Sequence, residues 1–577
     1  MSKEGKFRFS NLSERNKLLC LSLLVGILSG LAAVALNLAV DSLRSLVGAD
    51  PLASRWGSFV LPGVGMLLSL LLVRFVIRDN IGHGVTKVLL AVSRNESRIK
   101  PHNTWSSMLT SALTIGLGGS VGAEAPIVYT GAAIGSNLAR KAGLSYRNVT
   151  VLLGCGAAGA IAGIFKAPLA GVLFTMEILL FNLSMSSMVP MLLSTVSATV
   201  VSYVFRGQTP VFACTLTEFS MINIPFYVLL GGVAGLASLY FTGGALWLED
   251  KLGKISDVYL RWAVCALSLG LIIFLFPPLY GEGYDSLGAL LQGREVFEGG
   301  SRWGVPLFFA GVFLLKVVSM TLTNSGGGVG GTFGPTLFEG AVLGFVVARS
   351  LNILLEGADF SIPEQNFVLV GMAAMMASVM QAPMTAIFLI AEISGGYELL
   401  IPLILTSAVS FGTVRLFEKY SIYTKRLAQS GDLLTHDNDQ AVLTLMKTRD
   451  LIRDKYPRLH PEQTLRALVD TVSESTAAVI AVVDDENVFQ GYIDVDSCRK
   501  DLFRTSEYKS LHVYNMMSEP PAVIMEDEKM DSVMSKFDSS QAWRLPVLDR
   551  EGHYLGFISK SRVLMAYRDE LKVISHD

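Results

Sequence analysis

The chain has 577 residues, of which 51% are hydrophobic and only 17% charged, whereas a soluble domain carries about 25% charged residues. Its formal net charge of −2 gives no electrostatic case for a nucleic-acid partner. A mean hydropathy of +0.48 argues against the roughly four soluble domains that length alone suggests.

In chain order, Lys3, Lys6, Arg8, Arg15 and Lys17 precede the first apolar stretch, Leu18–Leu36. Positive charge before a first span predicts a cytoplasmic N-terminus. No small-residue cleavage site follows a short apolar core, so the stretch reads as an anchor and not a removed signal. Further apolar stretches run over Val60–Val76, Ile222–Leu246, Trp262–Phe276 and Val305–Leu322. Several approach the roughly 20 residues that cross a bilayer; others are shorter and broken by glycine. After Asp432 charge density rises and long apolar stretches stop. These features predict an all-α polytopic membrane domain over 1–430, with related halves at about 18–205 and 222–418. A linker over 431–440 and an α/β tail in two parts, 441–510 and 511–577, follow. The five cysteines have neither metal-ligand nor redox spacing; Cys20, Cys155 and Cys265 read as packing residues within apolar runs.

The two membrane halves echo each other. Gly118-Gly-Ser-Val-Gly-Ala-Glu-Ala-Pro126 resembles Gly326-Gly-Gly-Val-Gly-Gly-Thr-Phe-Gly-Pro335, and Ala167-Pro168 leads to Glu177 as Ala382-Pro383 leads to Glu392. Small residues alone would serve close helix packing in lipid. The recurring order of glycine cluster, proline and glutamate points instead to a transporter built of inverted repeats, its site where broken helices meet. The tail repeats as well: Val479–Val483, an acidic turn and Gly491-Tyr-Ile-Asp494 match Arg544–Leu548, an acidic turn and Gly556-Phe-Ile-Ser559. Each is a strand, a turn, a second strand and a helical run.

A small anion inside a membrane loses its hydration, and a full cation there is expensive and holds the ion tightly. Backbone N–H groups at helix N-termini offer partial positive charge instead. Glycine lets the backbone approach closely, and proline in the first turn leaves the other amides free. Three segments fit: Gly82-His83-Gly84-Val85, Gly122-Ala123-Glu124-Ala125-Pro126 and Gly331-Thr332-Phe333-Gly334-Pro335. Glu124 is a membrane carboxylate beside such amides, able to compete with an anion and to yield when protonated. The alternative is a helix-capping glutamate or one paired with a hidden cation. Tyr423, near a membrane boundary, reads by itself as an interfacial anchor.

In this order the segments resemble the GSGIP, G(K/R)EGP and GxFxP patterns of the CLC family of chloride channels and proton/chloride exchangers. The likeness extends through Phe165-Lys-Ala-Pro-Leu-Ala-Gly-Val-Leu-Phe174, Ala391-Glu-Ile-Ser394 with Tyr397, and Ser421-Ile-Tyr-Thr424, and the tail is similar to a pair of CBS domains. The resemblance implies a homodimer in a lipid bilayer with one chloride pathway per subunit, both termini cytoplasmic, and no metal or organic cofactor needed for passage. It implies that Glu124 is the gate and that the Tyr423 hydroxyl contacts the central anion. The amides of Gly82, His83, Gly84, Gly122, Ala123, Ala125, Thr332, Phe333 and Gly334 would then line the anion's path. The compact form suggests a bacterial inner membrane.

Four departures bear on mechanism. His83 stands where the family's serine selects the anion; its imidazole either donates to the ion or turns away and leaves the amides to act. Ala123 and Ala125 replace a basic residue and a glycine. Ile178 stands where exchangers carry an inward-facing proton glutamate, which leaves Glu177 as the nearest acid for a relay or as a structural cap. Neither CBS repeat keeps the ribose-binding aspartate, with Asp494 and Ser497 in one repeat and Ser559 and Arg562 in the other. An adenosine nucleotide would have to be held through apolar contacts and Arg562, and a structural or dimer-forming tail is the alternative. Rival readings are a CBS-regulated divalent-cation transporter, which needs convergent acids, a membrane enzyme, which lacks an HExxH or nucleophile motif, and a membrane-anchored sensor with no ion flux.

Overall fold

Inside a bilayer every backbone polar group must find its partner within the chain, which leaves the helix as the default element for apolar runs. The structure, a computed structural model, describes residues 13–47, 55–79, 81–82, 84–94, 97–179, 185–294, 301–356, 361–429, 446, 448–453 and 456–575. His83, the basic residues Lys3, Lys6 and Arg8, and the linker expected at 431–440 lie outside the described residues. Contacts divide the chain into two units, Met1–Leu433 and Leu434–Asp577.

The first unit is helical throughout. Its first half comprises α1 (Glu14–Val47), α2 (Arg55–Leu71), α3 (Gly84–Arg94), α4 (Ser106–Gly116), α5 (Glu124–Lys141), α6 (Tyr146–Phe165), α7 (Pro168–Glu177) and α8 (Met185–Arg206). The second comprises α9 (Ile224–Gly253), α10 (Val258–Leu275), α11 (Tyr284–Leu291), α12 (Gly304–Ser325), α13 (Phe333–Leu354), α14 (Glu364–Val379), α15 (Pro383–Ile393), α16 (Leu400–Arg415) and α17 (Ile422–Gln429). Eight helices among the described residues are long and apolar enough to cross a membrane. The chain is a multi-pass membrane protein. Helices α3, α7 and α15 span 10 to 11 residues, too few to cross a bilayer alone.

The repeat seen in sequence is an exchange of hydrogen bonds in space. Gly122 N donates to Gly331 O at 3.1 Å and Gly331 N donates back to Gly122 O at 2.7 Å, an antiparallel bridge that joins the two motifs head to tail. Ser120 N bonds Thr323 Oγ1 at 3.2 Å while Val329 N bonds Thr114 Oγ1 at 3.1 Å. The turns before both motifs use glycine in the left-handed region, Gly118 and Gly327, each with φ +99°, where a side chain would be strained. These matched bonds form an inverted pair of halves.

Cys155 and Cys265 are buried as expected, but Cys20 is exposed. An apolar run in a bilayer can face lipid as readily as protein, so hydropathy does not distinguish the two.

The second unit holds two three-stranded sheets, β1 (Arg458–Leu459), β2 (Val479–Val483) and β3 (Phe489–Asp494), and β4 (Ile524–Met525), β5 (Arg544–Leu548) and β6 (Tyr554–Ser559). Each pairs its first two strands in parallel and its last two antiparallel, with an irregularity at Val482/Val483 and again at Val547/Leu548. The helices Leu465–Glu474 and Met530–Ser540 occupy the same place in the two repeats. Val479, Ala481, Val483, Tyr554 and Phe557 form a core shared by both sheets.

Candidate functional site

Helices α5 and α13 both begin two residues before a proline, at Glu124 and Phe333. The first amides of a helix have no intrahelical partner, and a proline in that turn fits because it has no N–H to lose. The first half places a carboxylate at this position and the second an aromatic ring. Glu124 is only 2% exposed. Its Oε2 accepts from Gly334 N at 3.2 Å and its Oε1 from the Tyr284 hydroxyl at 2.7 Å. A Cβ on Gly122 would fall 2.0 Å from Glu124 Oε2 and 2.9 Å from Gly334 N, so the glycine makes room for the carboxylate to reach across to α13. The Phe333 ring packs 5.6 Å from Phe165 and 6.1 Å from Phe174.

On the other side of the α13 N-terminus stands Tyr423, 2% exposed, whose hydroxyl accepts from Thr332 Oγ1 at 3.2 Å. Thr332, Phe333 and Gly334 therefore run between Tyr423 and Glu124. The buried placement of Tyr423 sets aside the interfacial-anchor alternative. Gly84 opens α3 and is packed so tightly that a Cβ would lie 2.3 Å from Ala125 O, which ties the first motif to the second. Gly82 is exposed and lines a cavity of about 510 Å³ with Arg74, Arg261, Asn324 and the glycine turn Gly327–Gly330. Ala125 is buried in the first turn of α5.

Glu177 lies elsewhere. Its Oε1 accepts from Met384 N at 3.0 Å, and its Oε2 accepts from Thr385 N at 2.6 Å and from Thr385 Oγ1 at 2.7 Å. It caps α15, the counterpart of its own helix. Glu392 returns the arrangement on α7, accepting from Leu169 N at 3.1 Å and Ala170 N at 2.9 Å. Ile178 is buried directly behind. In the tail, Arg562 is half-buried; its amide donates to Ser559 Oγ at 3.3 Å, and its Nε is enclosed without a partner among the described residues.

Sequence reading missed a group of ionisable side chains behind Glu124. Lys316, fully buried in the middle of α12, donates to Ser120 Oγ at 2.9 Å, Gly281 O at 3.2 Å and Glu282 O at 3.3 Å. Glu282 Oε1 accepts from Ala123 N at 3.1 Å. Glu339 is fully buried on α13, within the electrostatic reach of Lys316. One signal was available for Lys316 and Glu339: an ionisable residue inside an apolar span is a functional candidate by default.

The family model of the voltage gated chloride channel matches residues 64–415, more than half of the chain. The chain belongs to the voltage-gated chloride channel family. A CBS domain model matches residues 513–569, the second tail repeat. Among its relatives, the voltage-gated ClC-type chloride channel ClcB of Salmonella typhimurium is 28% identical over 438 residues, covering 71% of this chain and 99% of that one. The H(+)/Cl(−) exchange transporter ClcA of Salmonella paratyphi B is 26% identical over 448 residues, covering 74% and 90%. The fold matches the crystal structure of a slow cyanobacterial Cl−/H+ antiporter with a TM-score of 0.63 at 23% identity, over 73% of this chain and 99% of that one. Membership makes the protein a transport protein and not an enzyme.

Proposed function

We propose that the chain carries chloride, or a similar small anion, across a membrane along a path gated by Glu124. One observation carries this reading: the Glu124 carboxylate lies on the Gly334 amide at the N-terminus of α13, a place suited to an anion. A carboxylate there holds the position an anion needs. Protonation removes its charge, weakens its bond to the amide and lets an anion compete. The Tyr423 hydroxyl and the amides of Thr332 and Phe333 would line the inward part of the path, and His83 would add a donor at its first motif. The names of the relatives support chloride as cargo but divide between channel and exchanger.

The α7 end bears on coupling. Isoleucine at 178 cannot bind a proton, and both Glu177 oxygens are engaged by the start of α15. This arrangement favours anion passage without a side-chain proton relay on that helix. We further read the protein as a homodimer in a bacterial inner membrane with both termini cytoplasmic, and the tail as chiefly structural or dimer-forming. Passage would need no bound metal or organic cofactor, and any adenosine nucleotide would meet Arg562.

The test is purified protein in chloride-loaded liposomes, with chloride efflux and external pH recorded together. Efflux with matched proton uptake means an exchanger, and efflux alone means a channel or uncoupled carrier. Glu124→Gln should raise efflux and flatten its pH response. An unchanged rate and pH response in that variant would remove Glu124 from the gate, and no flux of any anion would leave the anchored sensor as the reading.

A further inference from the structure

The gate proposed above uses one carboxylate and one helix-start amide, but the structure contains a second such contact. The Ala123 amide, at the N-cap of α5 and expected from sequence to face the anion, is already occupied. Glu282 Oε1 accepts from it at 3.1 Å. Glu282 comes from a different segment, the turn Gly281-Glu282-Gly283 before α11, so the contact depends on tertiary folding and is not a local cap.

Three further facts set Glu282 apart from a structural glutamate. It is half-buried while Glu124, one residue along from the amide it holds, is nearly sealed; of the two carboxylates, Glu282 is the one open to solvent. Cations surround it without neutralising it through a direct side-chain bond. Lys316 Nζ reaches its main-chain oxygen at 3.3 Å, and Arg44 Nη2 lies 2.9 Å from where a Cβ on Gly281 would stand. Arg44 Nε is enclosed with no hydrogen-bond partner among the described residues. An amide donor and two cations around one replaceable carboxylate suit a halide-sized anion.

We propose that Glu282 is a second gate on the solvent side of Glu124, and that the Ala123 amide beneath it is an outer anion position closed by that carboxylate. The step is a plain proton exchange. A proton from bulk water adds to the Glu282 carboxylate, the now neutral acid gives up the Ala123 amide, and an anion takes its place between Arg44 and Lys316. Loss of the proton reverses the exchange. The charged and titratable groups facing Glu282 are Glu124 on α5, Tyr284 on α11, Lys316 on α12 and Arg44 on α1. Of these, Glu124 and Tyr284 are joined by a hydrogen bond, and Glu282 lies within electrostatic reach of both. The inference rests on the Glu124 reading, and the experiment separates the two.

Efflux from liposomes is measured from acid to neutral pH for the parent, Glu124→Gln, Glu282→Gln, Glu282→Ala and the Glu124→Gln/Glu282→Gln double variant. Chloride binding is followed by titration calorimetry in detergent. A charged hydrogen bond removed from a competitor corresponds to about a ten-fold gain in occupancy or more. Glu282→Ala should therefore tighten chloride binding and raise neutral-pH efflux by about that factor. Glu124→Gln should keep a shallow pH response that the double variant loses. Parental binding, efflux and pH profile in both Glu282 variants, beside a Glu124→Gln that opens, would overturn the outer gate and leave the inner one standing. A parental Glu124→Gln would overturn the inner gate and, with it, the series arrangement. Glu282→Gln keeps the size and an acceptor for Ala123 N, so its titration and pH profile decide the matter where the alanine variant does not fold.

Discussion

The rim and the centre of the membrane unit use the same device to different ends. At the rim, Glu177 caps α15 and Glu392 caps α7, so each half closes a helix of the other from matched positions, Glu177 with one further bond from Thr385 Oγ1. At the centre the matched positions are Glu124 and Phe333, and only the first half contributes a charge. The Gly122–Gly331 bridge beneath them remains reciprocal. The scaffold is thus symmetric and the chemistry is not. A symmetric carboxylate pair locks two halves together, whereas a single carboxylate facing a foreign helix start can leave without unlocking them.

That contrast breaks most sharply at Lys316, whose ammonium is fully buried behind the central carboxylates. Removing one partner from a buried charge group costs roughly 3–5 kcal/mol. Lys316→Met should lower stability on that scale, read as a fall in the thermal unfolding midpoint in detergent, and a stable variant with parental flux would show the centre to be no more than packing. Rim substitutions are expected to cost less. Glu177→Gln and Glu392→Gln should each weaken charged hydrogen bonds worth roughly 1.5–3 kcal/mol, Glu177→Gln the more because Thr385 Oγ1 adds a third bond, and neither should alter the ratio of protons to chloride moved. If Glu177→Gln alone changed that ratio, the rim would not be merely structural and Glu177 would belong to a proton route.

The smallest effect concerns the tail. His553 Nδ1 lies 2.8 Å from Asp549 Oδ2, and that hydrogen bond raises the His553 pKa above its ordinary value. A raised folded-state value means the contribution is complete below the unfolded value of about 6.5 and is lost as pH rises through the folded one. The tail's unfolding midpoint should fall slightly across that window, and His553→Gln should abolish the step. A midpoint with the same pH course in both proteins would remove the histidine from the tail's stability.

Much of this was legible in the chain. Gly118 and Gly327, the two Pro-initiated helices and the paired Glu177 and Glu392 recur in register, so a repeat and its broken helices could be read from residue type and spacing. Glu124 stood out because a carboxylate beside glycine and proline in an apolar region has few structural uses. The strands of the tail followed from short apolar runs on either side of acidic turns. Cys20 went the other way, since hydropathy alone does not tell a lipid-facing residue from a core one.

The sequence by itself determined the membrane class, the doubled architecture and the helix starts that present free amides, because these depend on local composition and period. Only the tertiary structure decided which carboxylate meets which amide. Glu124 reaches Gly334, Glu282 reaches Ala123 and Glu177 reaches Thr385 across separations of 159 to 210 residues. Pairings over such distances depend on how whole helices pack. No local pattern encodes them, since the same glutamate beside a different helix start would be a cap, a gate or a buried charge.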